Sequence, residues 1–270
     1  MDRTDVAYVV NSTPAYFYIL PFHFGMLRRY APTLKWKVIL ATEVPDDPVC
    51  KEVAAKYDVE ILPLDQKDAG FLDSRRAAGQ QLVTRFKYIF PVQEDFILER
   101  QMDATEFASL LTTMDGDSRL VSARCMPCPG PFADDDQCVN LWSWQYLEPV
   151  MDSMGFVFQA TMWKTSAFAQ WYIAICGRLE EMAPRETTDP KERAFIEVRG
   201  NLAENSEGQK VFWNMSYDNL WLHIGYTRCG KQPNGVYLSP FPYRPTAIVR
   251  GLLEPWAKEL ARREGFFLPG

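Results

Sequence analysis

The sequence contains no apolar run near the roughly 20 residues that cross a bilayer. Its start, Met1-Asp2-Arg3-Thr4-Asp5, has no apolar signal core. Both absences point to a soluble, intracellular protein, cytoplasmic in a cellular or virus-encoded setting. No Ser/Gly-rich or like-charged tract is long enough to separate two cores, so the 270 residues are expected to form one domain. Positive charge is not in excess: 29 Lys and Arg face 35 Asp and Glu, a net charge of -6. Without a basic stripe, nucleic acid is not an expected partner. Histidine is scarce, and both copies, His23 in a helical apolar stretch and His223 in Leu220-Trp-Leu-His-Ile224, read as structural. A histidine-based triad therefore lacks support. Six cysteines are too few for a disulfide scaffold in a chain of this length. Cys125, Cys128 and Cys138, with Cys229 or His223, could supply zinc ligands, but the second C-x2-C pair of a zinc knuckle is missing and loop thiols explain them equally. No G-x-G-x-x-G or G-x4-G-K-[ST] follows a strand-like segment, which removes the usual dinucleotide fingerprint and the P-loop.

What the sequence does have is alternation. With 47% hydrophobic and 24% charged residues it can bury a core. Val6 to Val10 reads as a buried strand and Pro14 to Tyr30 as a helix closed by Arg28-Arg29. Trp36 to Leu40 is strand-like, Asp47 to Tyr57 a helix entered through Pro48, and Val59 to Leu62 a strand. Asp73 to Lys87 reads as a helix leading into the strand Tyr88 to Val92, where Pro91 is out of place because proline removes a ladder donor. Such repetition implies a mainly parallel sheet covered by helices on both faces. Further on come a helix over 104–114, a strand over 119–123, a Pro- and Asp-rich loop over 125–137, and a strand over 156–162. A long helix over 166–182, a polar loop over 204–209 and an amphipathic helix over 254–267 complete a more mixed second half.

In an open parallel sheet, ligands bind beyond the carboxyl ends of the strands. Those positions hold Asn11-Ser12, Ala41-Thr42-Glu43, Leu64-Asp65 and Gln93-Glu94-Asp95. The last combines an amide with two adjacent carboxylates, hard oxygen ligands suited to Mg²⁺ or Mn²⁺ held against a diphosphate. A solvated acidic turn is the alternative. Asp115-Gly-Asp117 is a formal D-x-D, but it follows a helix and reads as a tight turn, and Asp134-Asp-Asp136 lies in a Pro/Gly-rich loop.

The order of these parts resembles the GT-A fold of nucleotide-sugar glycosyltransferases. Asp73-Ser-Arg-Arg76 followed by Lys87-Tyr-Ile-Phe-Pro-Val-Gln-Glu-Asp-Phe-Ile-Leu98 resembles the Arg-containing helix and acidic-motif strand of these enzymes. Phe158-Gln-Ala-Thr-Met-Trp163 is similar to the strand that faces their acceptor, Phe195-Ile-Glu197 to an element after it, and Arg228-Cys-Gly-Lys231 to a later turn. The matches keep their order over residues 5 to 235. The resemblance implies an α/β, GT-A-like fold, with a Rossmann-like nucleotide-binding half over about 1–100 and a mixed acceptor-binding half over 101–270. One departure stands out: Gln93 occupies the place of the family's first Asp, leaving Asp95 as the metal ligand and making dependence on Mn²⁺ or Mg²⁺ an open matter.

Glycosyl transfer places negative charge on the departing phosphate and needs a base for the acceptor hydroxyl. On the resemblance, Asn11, Ser12, Thr42 and Glu43 would bind base and ribose, and Arg76 would approach a phosphate unless it is a helix-surface cation. Gln93, Glu94 and Asp95 would position metal and diphosphate, with Lys231 or Arg228 neutralising the leaving group. Glu197 is the expected base, unless it lies on a solvated helix face, with Asp218 and Glu192 in reserve. Gln159 and Trp163 would face the acceptor, and Trp142, Trp144 and Tyr146 could stack on sugar faces if core packing does not claim them. The expected activity is transfer of a sugar from a nucleotide-diphosphate donor to a glycan or glycoprotein. Two rivals differ in class: a catalytically silent protein of the same fold that binds glycan or nucleotide, and a zinc-stapled interaction protein.

Overall fold

The computed structural model describes residues 3–65, 70–127, 144–147, 155–182, 206–226 and 235–269. Strands β1 (Val6–Asn11), β2 (Lys37–Thr42), β3 (Glu60–Pro63) and β4 (Tyr88–Gln93) are parallel, β1 lying between β2 and β4. The helices between them are α1 (Leu20–Tyr30), α2 (Pro48–Tyr57) and α3 (Phe71–Leu82). The second half adds β6 (Leu120–Pro127), β7 (Trp144–Tyr146), β8 (Thr161–Lys164) and β9 (Leu222–Tyr226) to the same sheet. Among the described residues this sheet has eight strands in the order β3-β2-β1-β4-β8-β6-β9-β7. Strand β8 runs antiparallel between β4 and β6, and β7 antiparallel to β9. A parallel first half followed by a mixed second half is the α/β class expected.

Period-two alternation builds two cores at once. Along β1, Val6, Tyr8 and Val10 pack on one face with Phe24 and Leu27 of α1, and with Phe107 and Leu111 of α4 (Ala104–Gly116). Ala7 and Val9 face the other way, toward Leu72 and Leu82 of α3 and Trp171 and Ile175 of α5 (Thr165–Met182). Burial on both faces explains why these strands are near-continuous apolar runs. Gly79 lets α3 approach α5: a Cβ there would sit 2.9 Å from the Phe168 ring. Pro91 is tolerated because the β4 to β8 pairing covers Tyr88 and Ile89 and does not reach it.

Several expectations need correction. The helix expected from Pro14 is a 3-10 turn, Pro14–Ile19, after which Pro21 opens α1 as a separate helix. Helix α3 ends at Leu82 rather than Lys87. Residues 156–160 are not a strand, since both backbone polar groups of Phe156 are taken by the Gln209 side chain, at 3.0 and 2.7 Å. That glutamine lies in α6 (Ser206–Asp218), which begins inside the stretch expected as a polar loop. Strand β6 runs on through Cys125, which is buried in the core, so the expected loop starts later. Cys128, Cys138 and Cys229 lie outside the described residues.

Short strands and a last helix follow at the carboxyl end of β4. After β4, β5 (Ile97–Leu98) pairs antiparallel with β10 (Tyr243–Arg244). A hairpin of β11 (Ile248–Val249) and β12 (Leu252–Leu253) follows, then α7 (Pro255–Glu264). Ala247 N donates to the Asp95 carbonyl at 3.0 Å, seating this hairpin beside the turn after β4.

Candidate active site

A cleft of about 600 Å³ opens at the carboxyl ends of β1, β2 and β4, where strand order makes a crevice in a sheet of this type. Asn11 at the end of β1 and Ser12 just after it, Glu43 after β2, Gln93 at the end of β4, and Glu94 and Asp95 after it all line the cleft. Arg75 and Phe71 of α3, and Arg250 and Gly251 of the hairpin, form further walls.

Asn11 and Ser12 are 6% and 5% exposed, and among the described residues neither the Asn11 Nδ2 nor the Ser12 Oγ has a hydrogen-bond partner. A buried donor or acceptor left unpaired costs about 1–3 kcal/mol, so these two atoms mark where a polar ligand would sit. Burial pushes Glu94 up to about 7, with the neighbouring Asp95 charge adding to the shift. Burial likewise pushes Asp95 up to about 6, opposed by the Ile248 amide, which donates to Asp95 Oδ2 at 3.3 Å. Arg75 is buried, a condition that lowers its pKa. Its guanidinium lies 3.8 Å from the Phe71 ring centroid and donates to the Phe71 carbonyl at 2.7 Å.

Among the described residues the expected nucleotide residues are thus largely brought together, with two exceptions. Thr42 is buried outside the cleft lining, and its Oγ1 accepts from Val44 N at 3.2 Å, shaping the turn that presents Glu43. Arg76 does not line the cleft; it pairs with Asp73 at 3.2 Å and with Glu180 of α5 at 3.7 Å. The α3 arginine at the cleft is Arg75, one residue and about 100° around the helix.

Gln93 spends its amide on the Phe158 carbonyl at 3.0 Å. Behind it, a small second cavity is lined by Gln159 and Trp163. Gln159 Oε1 accepts from the Tyr243 hydroxyl at 2.7 Å, and Trp163 is packed in the core with Phe156 and Phe168. Asp218 is exposed at the end of α6 and does not line the cleft. Trp144 donates from Nε1 to Glu106 at 2.7 Å, and Tyr146 is exposed. Glu192, Glu197, Arg228, Lys231, Trp142 and Asp134 to Asp136 lie outside the described residues. Asp115 and Asp117 serve the fold: Asp115 pairs with Arg3, Lys87 and the Tyr88 hydroxyl, and Asp117 with Arg119.

Both histidines are core residues. His223 sits between the hydroxyls of Ser122 and Ser216 at 2.7 and 2.8 Å, and burial lowers its pKa to about 3. His23 bridges the Tyr8 hydroxyl and the Glu94 carbonyl, and burial lowers it to about 4.

Among the described residues no group of three or more His, Cys, Asp and Glu side chains is placed to hold a metal. A hard divalent ion can be held by one or two carboxylates completed by phosphates and water. Glu94 and the Asp95 oxygen not engaged by Ile248 fit that minimal donor set. Sequence reasoning missed Arg75, because a pair of adjacent arginines does not declare which faces inward. It also missed Arg250, although Arg250-Gly251 between two short apolar pairs is a legible two-residue turn.

No family model and no curated protein matches the chain. Among solved structures it is similar to S. aureus TarS at 10% identity and a TM-score of 0.45, covering 84% of this chain and 36% of that one. A 1-349 form of TarS in complex with UDP-GlcNAc matches at 10% identity and a TM-score of 0.44, over 87% of this chain and 60% of that one. The same form in complex with UDP gives 11% and 0.42, over 72% and 54%. This chain therefore spans less than two thirds of the length of each of these structures. Among the described residues no helix is long and apolar enough to cross a membrane.

Proposed function

We propose that the chain is a glycosyltransferase that moves a sugar from a nucleotide-diphosphate sugar to a glycan or glycoprotein acceptor, with the donor held in this cleft. The supporting observation is the pair of buried polar atoms of Asn11 and Ser12, unpartnered among the described residues, in one crevice with the acidic turn Glu94-Asp95. Asn11, Ser12 and Glu43 bind base and ribose, offering both donors and acceptors. Arg75 adds fixed positive charge beside the carboxylates. Asp95 and Glu94 are the residues that would hold a divalent ion beside the diphosphate, and such an ion, when bound, would stabilise charge on the leaving phosphate. Glu197 serves as the base toward the acceptor hydroxyl, Lys231 supports the departing phosphate, and Gln159 lies on the acceptor side.

One observation favours a second reading, a silent binding protein of the same fold. Gln93 replaces a carboxylate, and its amide is already engaged by Phe158.

A thermal-shift screen with UDP, GDP, CMP, TDP and their common sugars, each with and without Mn²⁺, tests the proposal. A shift of several degrees for one nucleotide, with nucleotide release from its sugar and loss of both in Asp95→Ala, supports the transferase. Binding without release favours the silent reading, and no binding under either condition overturns both.

A further inference from the structure

The cleft presents three carboxylates, Glu43, Glu94 and Asp95, to a ligand that would itself be anionic. Of the two arginines in its lining, Arg75 is committed to the Phe71 ring and carbonyl. Arg250 is exposed, lines the same cleft and has no ion-pair partner among the described residues. Its backbone is unusual. Arg250 and Gly251 are the two loop residues between the pairs Val249↔Leu252 and Ile248↔Leu253, with φ of 51° and 78°. Positive φ at both positions is the primed hairpin turn, which favours Asn, Asp or Gly at the first position. A long side chain there costs on the order of 1 kcal/mol, and departures from local preference collect at functional sites. The hairpin is also anchored to the acidic turn, through Ala247 N to the Asp95 carbonyl at 3.0 Å and Ile248 N to Asp95 Oδ2 at 3.3 Å. The guanidinium is therefore carried on a braced support at the rim of the cleft.

We propose that Arg250 is a specificity-determining residue that grips the diphosphate of the donor, selecting nucleoside diphosphates over nucleosides. A planar guanidinium matches phosphate oxygens in a bidentate way that no glycine-rich loop supplies in this chain. The inference rests on the reading of the cleft as a nucleotide-sugar site.

Calorimetric titrations with uridine, UMP and UDP, and with the guanosine, cytidine and thymidine series, test it on the wild type, Arg250→Asn and Arg250→Lys. Asparagine suits the turn, so the first variant removes the charge without disturbing the hairpin. The expected result is a loss of about tenfold or more in diphosphate affinity for Arg250→Asn, equivalent to about 1.4 kcal/mol. Nucleoside affinity stays within about twofold, and Arg250→Lys recovers part of the loss. Equal weakening of nucleoside and diphosphate, or no weakening of either, overturns the role of Arg250 and leaves the cleft assignment standing. A wild type that binds none of these nucleotides overturns the cleft assignment and the inference with it.

Discussion

His23 Nδ1 lies 3.0 Å from the carbonyl oxygen of Glu94, so a buried helix side chain holds the turn that carries the acidic pair. A carbonyl only accepts, which puts the proton on Nδ1 and leaves Nε2 to accept from the Tyr8 hydroxyl at 2.9 Å. The link runs from the central strand, through α1, to the floor of the cleft.

Replacing this histidine should be felt in both stability and binding. His23→Leu leaves the Tyr8 hydroxyl and the Glu94 carbonyl buried without partners, at a cost of about 2–4 kcal/mol, read as a lower urea midpoint. Nucleotide affinity should fall several-fold, because the Glu94 turn loses its anchor. An unchanged midpoint would show that the turn is held by other contacts.

The pH dependence of stability combines two opposing groups. His23 and His223 have folded pKa values near 4 and 3, below the ordinary 6.5. The unfolded chain therefore takes up protons first, and their contribution is lost as pH falls below about 6.5. Glu94 and Asp95 are raised to about 7 and 6, so the folded state binds more protons and their contribution is lost as pH rises from about 4.5 toward 7. Glu94→Gln should thus stabilise the metal-free protein by about 1–3 kcal/mol at pH 7.5, a gain that vanishes near pH 4.5. Chemical denaturation at both pH values measures it, and an equal gain at both would refute the raised pKa.

The parallel half was legible because β1, β2 and β4 are buried on both faces and α2 carries its own punctuation, Asp47 capping Val49 N ahead of Pro48. The second half was harder, for identifiable reasons. Phe156 has the composition of a strand residue, yet it stacks on Trp171 at 3.7 Å between ring centroids and takes its backbone bonds from Gln209. Its aromatic character serves packing, not a ladder. Gln209 looked like loop polarity because a side chain bonding backbone across the fold leaves no periodic trace. At the cleft, the residues after β1, β2 and β4 follow from topology alone, and those positions were readable. Arg250 comes from a hairpin more than 150 positions after Gln93, and no local pattern joins the two.

Asp115, the first acid of the formal D-x-D, should behave as a fold residue when it is substituted. Asp115 binds Arg3 and Lys87 with its side chain about a third exposed. Asp115→Asn should cost about 0.5–1 kcal/mol after solvent screening, with nucleotide affinity and Mn²⁺ response unchanged. A loss of either binding signal in Asp115→Asn would put a metal or nucleotide contact at the end of α4 instead of at Asp95.

Ser12 offers the most direct contrast between stability and function. Its hydroxyl is buried and has no partner among the described residues, so Ser12→Ala removes a group whose desolvation is uncompensated. The free protein should be as stable as the wild type or more so, by up to about 1 kcal/mol. If the hydroxyl contacts the nucleotide, the same change should weaken binding by about three- to thirtyfold, the value of one net hydrogen bond up to one made to a charged group. Melting curves with and without nucleotide separate the effects: a higher melting temperature alone, with a smaller ligand-induced shift, is the expected pair. A lower melting temperature without ligand would mean that Ser12 is holding the β1 turn together. An undiminished ligand shift would place the nucleotide elsewhere along the crevice.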